Sequence, residues 1–68
     1  MATRNLHING ESREISAASV AELIHELALD PRQVAIECNG EIIARSHYNE
    51  QPITDGDRIE VVAFIGGG

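Results

Sequence analysis

The pattern of apolar and polar residues predicts five strands and one helix. Residues 5–8 and 11–15 alternate as half-buried strands do, with Leu6 and Ile8 on one face. Asn9-Gly10 between them is typical of a two-residue hairpin turn, since both turn positions need a positive φ. Further strands are predicted over residues 34–38, 41–44 and 58–65.

The helix is predicted to begin at Ser19, which is a good N-cap residue. Glu22, three residues later, completes a capping box. Asp30-Pro31 is expected to end the helix, because the residue before a proline avoids the α conformation. One apolar stripe at helical spacing comprises Val20, Leu23, Ile24, Leu27 and Ala28.

This order of elements, ββαβββ, predicts an α+β fold of the β-grasp type, in which a mixed sheet of about five strands packs on one main helix. The last strand is long enough to be the central one. Ile59 and Val61 should then face the helix, whereas Val62 and Phe64 should face out of the uncovered side of the sheet.

Length and charge narrow the possible functions. With 68 residues the chain is predicted to form one domain, residues 1–65, followed by a flexible tail, residues 66–68. Such a chain has no room for an enclosed active site. Five arginines, no lysine and eleven acidic residues give a net charge of −6, which argues against nucleic acid and favours a partner with a basic surface.

The cellular location is predicted from the apolar runs and the cysteine content of the sequence. No apolar signal run follows the N-terminus, and the longest apolar run, residues 61–65, is too short to span a bilayer. Cys38 is the single cysteine, which fits a reducing compartment. Because it alternates in phase with Val34 and Ile36, it is interpreted as a buried core residue rather than a reactive thiol. A cytoplasmic protein is predicted.

No catalytic or metal-binding constellation is recognised in the sequence. Asp55 and Asp57 resemble half of a calcium loop, but the remaining ligand positions are missing, so a turn is the interpretation. Three histidines lack metal-ligand spacing and are interpreted as surface residues: His7, His25 and His47.

The C-terminal tail is the remaining candidate, and its alternative interpretation is a disordered end. The apolar strand leads directly into Gly66-Gly67-Gly68, and glycine allows a backbone to pass a narrow channel. The carboxylate of Gly68 is an anion at neutral pH, because its pKa is near ~3.5, and is therefore a poor electrophile. It would have to become an acyl-adenylate. The chain offers no ATP site, so a separate enzyme would supply ATP and Mg²⁺.

At this point the whole chain resembles the ubiquitin-like sulfur carriers, most closely those of thiamine biosynthesis. Each of the matching segments is common in other proteins, but their order and spacing, together with the final glycines, are specific to this family. The segments that carry the resemblance are Asn9-Gly10-Glu11, Ser19-Val20-Ala21-Glu22-Leu23, Ala35-Ile36-Glu37-Cys38-Asn39-Gly40-Glu41, Asp55-Gly56-Asp57-Arg58-Ile59-Glu60 and Phe64-Ile65-Gly66-Gly67-Gly68.

The resemblance implies a carrier that acts as a co-substrate, not an enzyme. Gly68 would be adenylated by an E1-like adenylyltransferase and converted to a thiocarboxylate with sulfur relayed from a cysteine desulfurase. Thiazole synthase would then take the sulfur. Gly66 and Gly67 match the flexible tail of the family, and no cofactor is bound by the carrier itself. The resemblance places partner docking on Val62, Phe64 and Ile65.

Three alternatives remain open from the sequence. The small subunit of molybdopterin synthase shares the fold and the Gly-Gly end, although the short chain and the third glycine, Gly66, favour the thiamine branch. A ubiquitin-like protein modifier would join Gly68 to lysines of target proteins. A β-grasp interaction domain with an inert tail is the last possibility.

Overall fold

The computed structural model describes residues 3–64 and contains one mixed sheet packed on one helix. The sheet has the order β2-β1-β5-β3-β4, in which β1 and β5 are parallel and the other neighbouring pairs are antiparallel. The predicted β-grasp fold is confirmed, and the last strand is the central one. The elements are β1 (Arg4–Ile8), β2 (Glu11–Ile15), α1 (Val20–Glu26), β3 (Val34–Cys38), β4 (Glu41–Ile43) and β5 (Arg58–Ala63).

Two Asn-Gly turns close the two hairpins. Asn9 and Gly10 have φ of 51° and 84°, and Asn39 and Gly40 have φ of 53° and 87°. Two successive positive φ angles define the turn whose twist matches that of the flanking strands. The turns therefore fix the register of both hairpins, which pairs Ile8 with Glu11 and Cys38 with Glu41.

The start of α1 follows the prediction with one difference. The Ser19 hydroxyl accepts a hydrogen bond from the Glu22 N–H at 3.2 Å. The Glu22 carboxylate accepts from the Ala18 N–H at 2.9 Å, one residue before the position expected of a capping box. These two side-chain hydrogen bonds cap the first turn of the helix and fix the preceding chain at Ala18.

The predicted end of α1 is wrong. The helix ends at Glu26, and Ala28 has a φ of 60° and is exposed, so it does not belong to the apolar stripe. The Ala28 N–H donates to His25 O and the Leu29 N–H donates to Ile24 O, both at 3.0 Å. This is a Schellman motif, which satisfies the last helical carbonyls before the chain reaches Pro31. Asp30 instead caps a 3₁₀ turn, Pro31–Gln33.

Three strand boundaries also differ from the prediction. β1 begins at Arg4 rather than at residue 5. β4 ends at Ile43 rather than at residue 44, because a 3₁₀ turn, Arg45–His47, begins there. β5 ends at Ala63 rather than at residue 65, because Phe64 is described and lies outside the strand; Ile65 lies outside the described residues.

The core lies between the helix and one face of the sheet. Ile59 is fully buried and Val61 is half-buried against the core, as predicted for the helix-facing side of β5. Cys38 is 6% exposed, which confirms it as a core residue. Tyr48 closes one end of the core, and its hydroxyl donates to Val34 O at 3.4 Å. Within residues 3–64, no helix has the length and apolarity needed to cross a bilayer.

Candidate functional site

The described part of the predicted site is the base of the tail. Phe64 is the last described residue, and its N–H donates to Gln33 O at 2.7 Å. The chain is therefore anchored to the β3 side of the sheet up to that residue. The other predicted tail and docking positions lie outside the described residues: Ile65, Gly66, Gly67 and Gly68.

The asparagines of the two hairpin turns hold β5 at Val61 and at Arg58. Asn9 Oδ1 accepts from the Val61 N–H at 2.8 Å, and Asn9 Nδ2 donates to Val61 O at 3.2 Å. Asn39 Oδ1 accepts from the Arg58 N–H at 3.0 Å, and the Asn39 N–H donates to Arg58 O at 2.8 Å. Since residues 65–68 follow β5 in the sequence, these contacts hold the strand that leads into them.

The loop before β5 confirms the interpretation of its aspartates as turn residues. Asp55 Oδ1 accepts from the Asn5 N–H at 2.7 Å. Asp57 accepts from the Thr54 N–H at 2.8 Å and from Asn39 Nδ2 at 3.0 Å. These carboxylates satisfy backbone and amide donors of the turn. Over residues 3–64, no group of three or more His, Cys, Asp or Glu residues is placed to hold a metal ion.

The uncovered face of the sheet carries the predicted docking residues. Val62 and Phe64 are 55% and 57% exposed, so both point away from the helix as predicted. Ile42 on β4 is 78% exposed and belongs to the same face. A shallow depression of about 70 Å³ is lined by Ile42 and Val62 together with Ala35 of β3. We call these four residues, Ala35, Ile42, Val62 and Phe64, the outer apolar patch.

Sequence reasoning missed Ile42 as a candidate docking residue. The signal was available, because Ile43 pairs with the buried Ile36 and its neighbour must then point to the opposite face. An exposed isoleucine flanked by Glu41 was instead taken only as part of a short return strand.

Two acids border the outer apolar patch. Glu37 of β3 lies directly opposite Glu60 of β5, and both line the same depression as Ile42 and Val62. Like charges in directly opposed positions destabilise a sheet pair. A basic partner group placed between them would relieve this repulsion, which agrees with the partner charge expected from the net charge of −6.

Within residues 3–64, the side chains that could act as nucleophiles or bases form no catalytic arrangement. Burial raises the pKa of the Cys38 thiol, and the negative charge of Asp57, whose Oδ2 lies 3.9 Å from Cys38 Sγ, raises it further. The thiol is therefore protonated at neutral pH and weakly nucleophilic. The three histidines are exposed on β1, on α1 and on the 3₁₀ turn after β4, as expected of surface residues: His7, His25 and His47.

Comparison with proteins of known sequence agrees with the resemblance seen in the motifs. The model of the ThiS family matches residues 6–68. The chain is 33% identical over 61 residues to the sulfur carrier protein ThiS of Thermus thermophilus, covering 90% of this chain and 95% of that one. It is 52% identical over 64 residues, 93% of its length, to a thiazole synthase of Paramagnetospirillum magneticum, but spans only 20% of that protein.

Comparison with solved structures gives the same family. The crystal structure of the thiamine biosynthesis protein ThiS of Geobacter metallireducens matches with a TM-score of 0.79 and 34% identity, covering 94% of this chain and 99% of that one. That relative is named as a thiamine biosynthesis protein, which is the branch that the sequence resemblance implied. On sequence and fold together, the chain belongs to the ThiS family.

Proposed function

We propose that this protein is a sulfur carrier of thiamine biosynthesis, in which Gly68 bears the sulfur as a thiocarboxylate. The proposal requires that the carboxylate of Gly68 is free. In this role the folded domain is a handle that partner enzymes recognise, and the tail is a substrate that enters their active sites. The protein itself performs no catalysis.

The observation that carries the proposal is the course of β5. This central strand has β1 on one side and β3 on the other, and it leads directly into residues 65–68. Four extended residues span at most about 13–14 Å, which is enough to enter a deep cleft while the domain stays outside. The hydrogen bond from the Phe64 N–H to Gln33 O supports this proposal, because it holds the last described residue against the β3 side of the sheet.

The chemical steps follow from the need to convert the Gly68 carboxylate into an electrophile. The Gly68 carboxylate attacks the α-phosphorus of ATP, and pyrophosphate leaves. A persulfide, supplied by a relay that begins at a cysteine desulfurase, then attacks the acyl carbon and displaces AMP. A second thiol cleaves the resulting S–S bond, which leaves the thiocarboxylate on Gly68 and a disulfide on the thiol partners. ATP and Mg²⁺ belong to an E1-like adenylyltransferase, whose positive groups stabilise the departing phosphates. Thiazole synthase finally takes the sulfur.

The outer apolar patch is the proposed docking surface for these enzymes. Exposed apolar side chains that are rimmed by acids are a common composition of a transient protein interface. Val62, Phe64 and Ile65 belong to this surface in the proposal, and Ile42 joins them. Docking there would bring the adjacent tail to the partner in a defined orientation.

The first step can be tested by adenylate formation. With the purified adenylyltransferase and labelled pyrophosphate, exchange of label into ATP should depend on the full chain. A chain that lacks Gly68 should give none, while its thermal unfolding is unchanged. Full exchange with the shortened chain would contradict the assignment of Gly68. A chain that becomes attached to lysines of other proteins would instead identify a protein modifier.

A further inference from the structure

One side of β5 loses its neighbouring strand before the tail begins. β1 pairs with β5 only through His7 with Arg58 and Ile8 with Ile59, and the chain then turns away at Asn9. On the other side, β3 accompanies β5 as far as Ala63, which pairs with Val34. The final part of β5 is therefore a sheet edge on the β1 side.

The Asn9 side chain covers part of this edge. Its amide makes both hydrogen bonds with the Val61 backbone that a continuing β1 would have made. Peptide groups in a strand point alternately to the two sides. The Phe64 N–H points to β3, where it donates to Gln33 O. The N–H and C=O of the preceding residue, Ala63, therefore point to the opposite side, as those of Val61 do. No strand of the described residues lies beside Ala63 on that side.

A groove accompanies the open edge. It has a volume of about 380 Å³ and lies between the end of β5 and the segment that follows α1. Its apolar lining includes Leu27 and Leu29, both half-buried, together with Val61 and Ala63. Arg13 and Glu26 stand at its polar rim. A strand placed beside Ala63 would direct every second side chain into this groove.

We propose that the Ala63 edge of β5 is a β-augmentation site that receives an extended segment of thiazole synthase. Backbone hydrogen bonds to the Ala63 peptide supply affinity, and an apolar side chain of the segment fills the groove beside Leu27 and Leu29. The inference rests on the proposed function, because it concerns how the enzyme that consumes the sulfur holds the base of the tail.

Thiazole synthase is the occupant that the comparisons favour. Two proteins with that name contain a stretch similar to this chain, one of them 52% identical over 64 residues, and in both the similar stretch makes up 20% of the protein. A domain of this type and the remainder of a thiazole synthase are thus joined in one molecule. An edge strand that pairs with the synthase would align the tail on entry and restrict its path to the active site.

Hydrogen exchange at single amides tests the pairing. In the free protein the Ala63 amide should exchange rapidly, whereas the Val61 and Phe64 amides, bonded to Asn9 Oδ1 and Gln33 O, should exchange slowly. Saturation with the separately purified synthase of the same organism should slow the Ala63 amide at least about tenfold and leave its two neighbours slow. A saturated complex in which Ala63 still exchanges rapidly would overturn the inference while leaving the proposed function intact.

A pair of variants provides an independent test. Ala63→Pro removes the edge N–H, which an edge strand tolerates, and should weaken synthase binding by about tenfold. Ala63→Ser keeps the N–H and the size and should bind as the unchanged protein does. Equal binding by both variants, with native circular dichroism, would overturn the inference. Loss of synthase binding combined with normal thiocarboxylate formation would separate this site from the chemistry at Gly68.

Pairing with a second copy of the chain is the competing outcome. It would slow the Ala63 amide in proportion to protein concentration in the absence of any synthase. Such a result would assign the edge to self-association and contradict the proposal.

Discussion

Asn9 and Val61 are joined by two hydrogen bonds, at 2.8 and 3.2 Å, so that a turn side chain replaces a missing strand. The turn and the tail-bearing strand are separated by 52 positions in sequence. The positive φ of the turn already explains an asparagine at position 9. Its side chain has a second role, which is to hold β5 beyond the point where β1 ends.

Asn9→Gly separates the two roles, because glycine keeps the turn conformation but removes the amide. Loss of the paired hydrogen bonds should destabilise the domain by about 1–2 kcal/mol. Urea unfolding measures the change, and amide exchange should show Val61 newly exposed while Arg58 stays protected. Asn39→Gly is the matched control and should reverse that pattern. Protection of Val61 that persists in Asn9→Gly would refute the replacement-strand role.

Ala28 adopts a left-handed conformation at the end of α1, with a φ of 60°. An L-residue there is strained by about 1–2 kcal/mol, and part of this is recovered when glycine takes its place. Since the Ala28 side chain is exposed, no packing is lost. Ala28→Gly should therefore stabilise the domain by about 0.5–1 kcal/mol in urea unfolding.

Ala21→Gly is the control for this substitution, because Ala21 lies within α1. It should destabilise the domain by about 1 kcal/mol. If both glycine variants lower stability, the left-handed cap at Ala28 does not have the strain assigned to it.

Binding through the outer apolar patch should respond to added negative charge. Phe64→Glu places an acid on a face that already carries Glu37 and Glu60, and should weaken binding to the adenylyltransferase by about tenfold or more. Ile42→Glu should weaken it as well, although that residue lies on a different strand. Because both side chains are exposed, the unfolding midpoint should barely move.

Isothermal titration with each variant measures these affinities. His7→Glu is a suitable control, since it adds the same charge to the uncovered face beside Arg58, at the opposite end of β5 from Val62 and Phe64. Binding by Phe64→Glu that equals binding by the control would remove Phe64 from the interface.

The buried thiol of Cys38 predicts the behaviour of the protein at high pH. Burial and the nearby Asp57 raise its pKa above the ordinary value of 9.0, so the folded state holds its proton more tightly than the unfolded state does. Stability should therefore fall as the pH rises through and above 9.0, because unfolding releases the proton.

Cys38→Ala removes this titration, so its stability should decline less over the same pH range. Denaturant unfolding at a series of pH values makes the comparison. Equal decline in both proteins would show that other groups cause the loss.

The sequence was sufficient for features that depend on local periodicity. Alternation placed Ile59 inside and Val62 outside, and positive-φ turn residues located both hairpins. The end of α1 was wrong because the apolar stripe continued to Ala28 while the backbone had already reversed. The Schellman motif usually has glycine at this position, so the alanine gave no signal of a helix end.

The features that sequence missed at the site depend on contacts between distant segments. Nothing local to Asn9 indicates that its amide will meet Val61, since that depends on how far β1 extends beside β5. The outward orientation of Ile42 could have been predicted from the alternation with Ile43. That Ile42 lies near Val62 could not, because it depends on the order of the strands in the sheet. The reacting residue, Gly68, follows from the chemistry of the tail and from the family resemblance.

The mass of the intact chain tests the central claim most directly. The protein is incubated with the adenylyltransferase, ATP, Mg²⁺, a cysteine desulfurase, cysteine and a thiol reductant, and its mass is then compared with that of a chain extended by one alanine after Gly68. The account predicts that the unextended chain gains the difference between one sulfur and one oxygen, with fragmentation placing the change at Gly68, and that the extended chain gains nothing. An unchanged mass with partners shown to be active, or a sulfur located at Cys38, would contradict it.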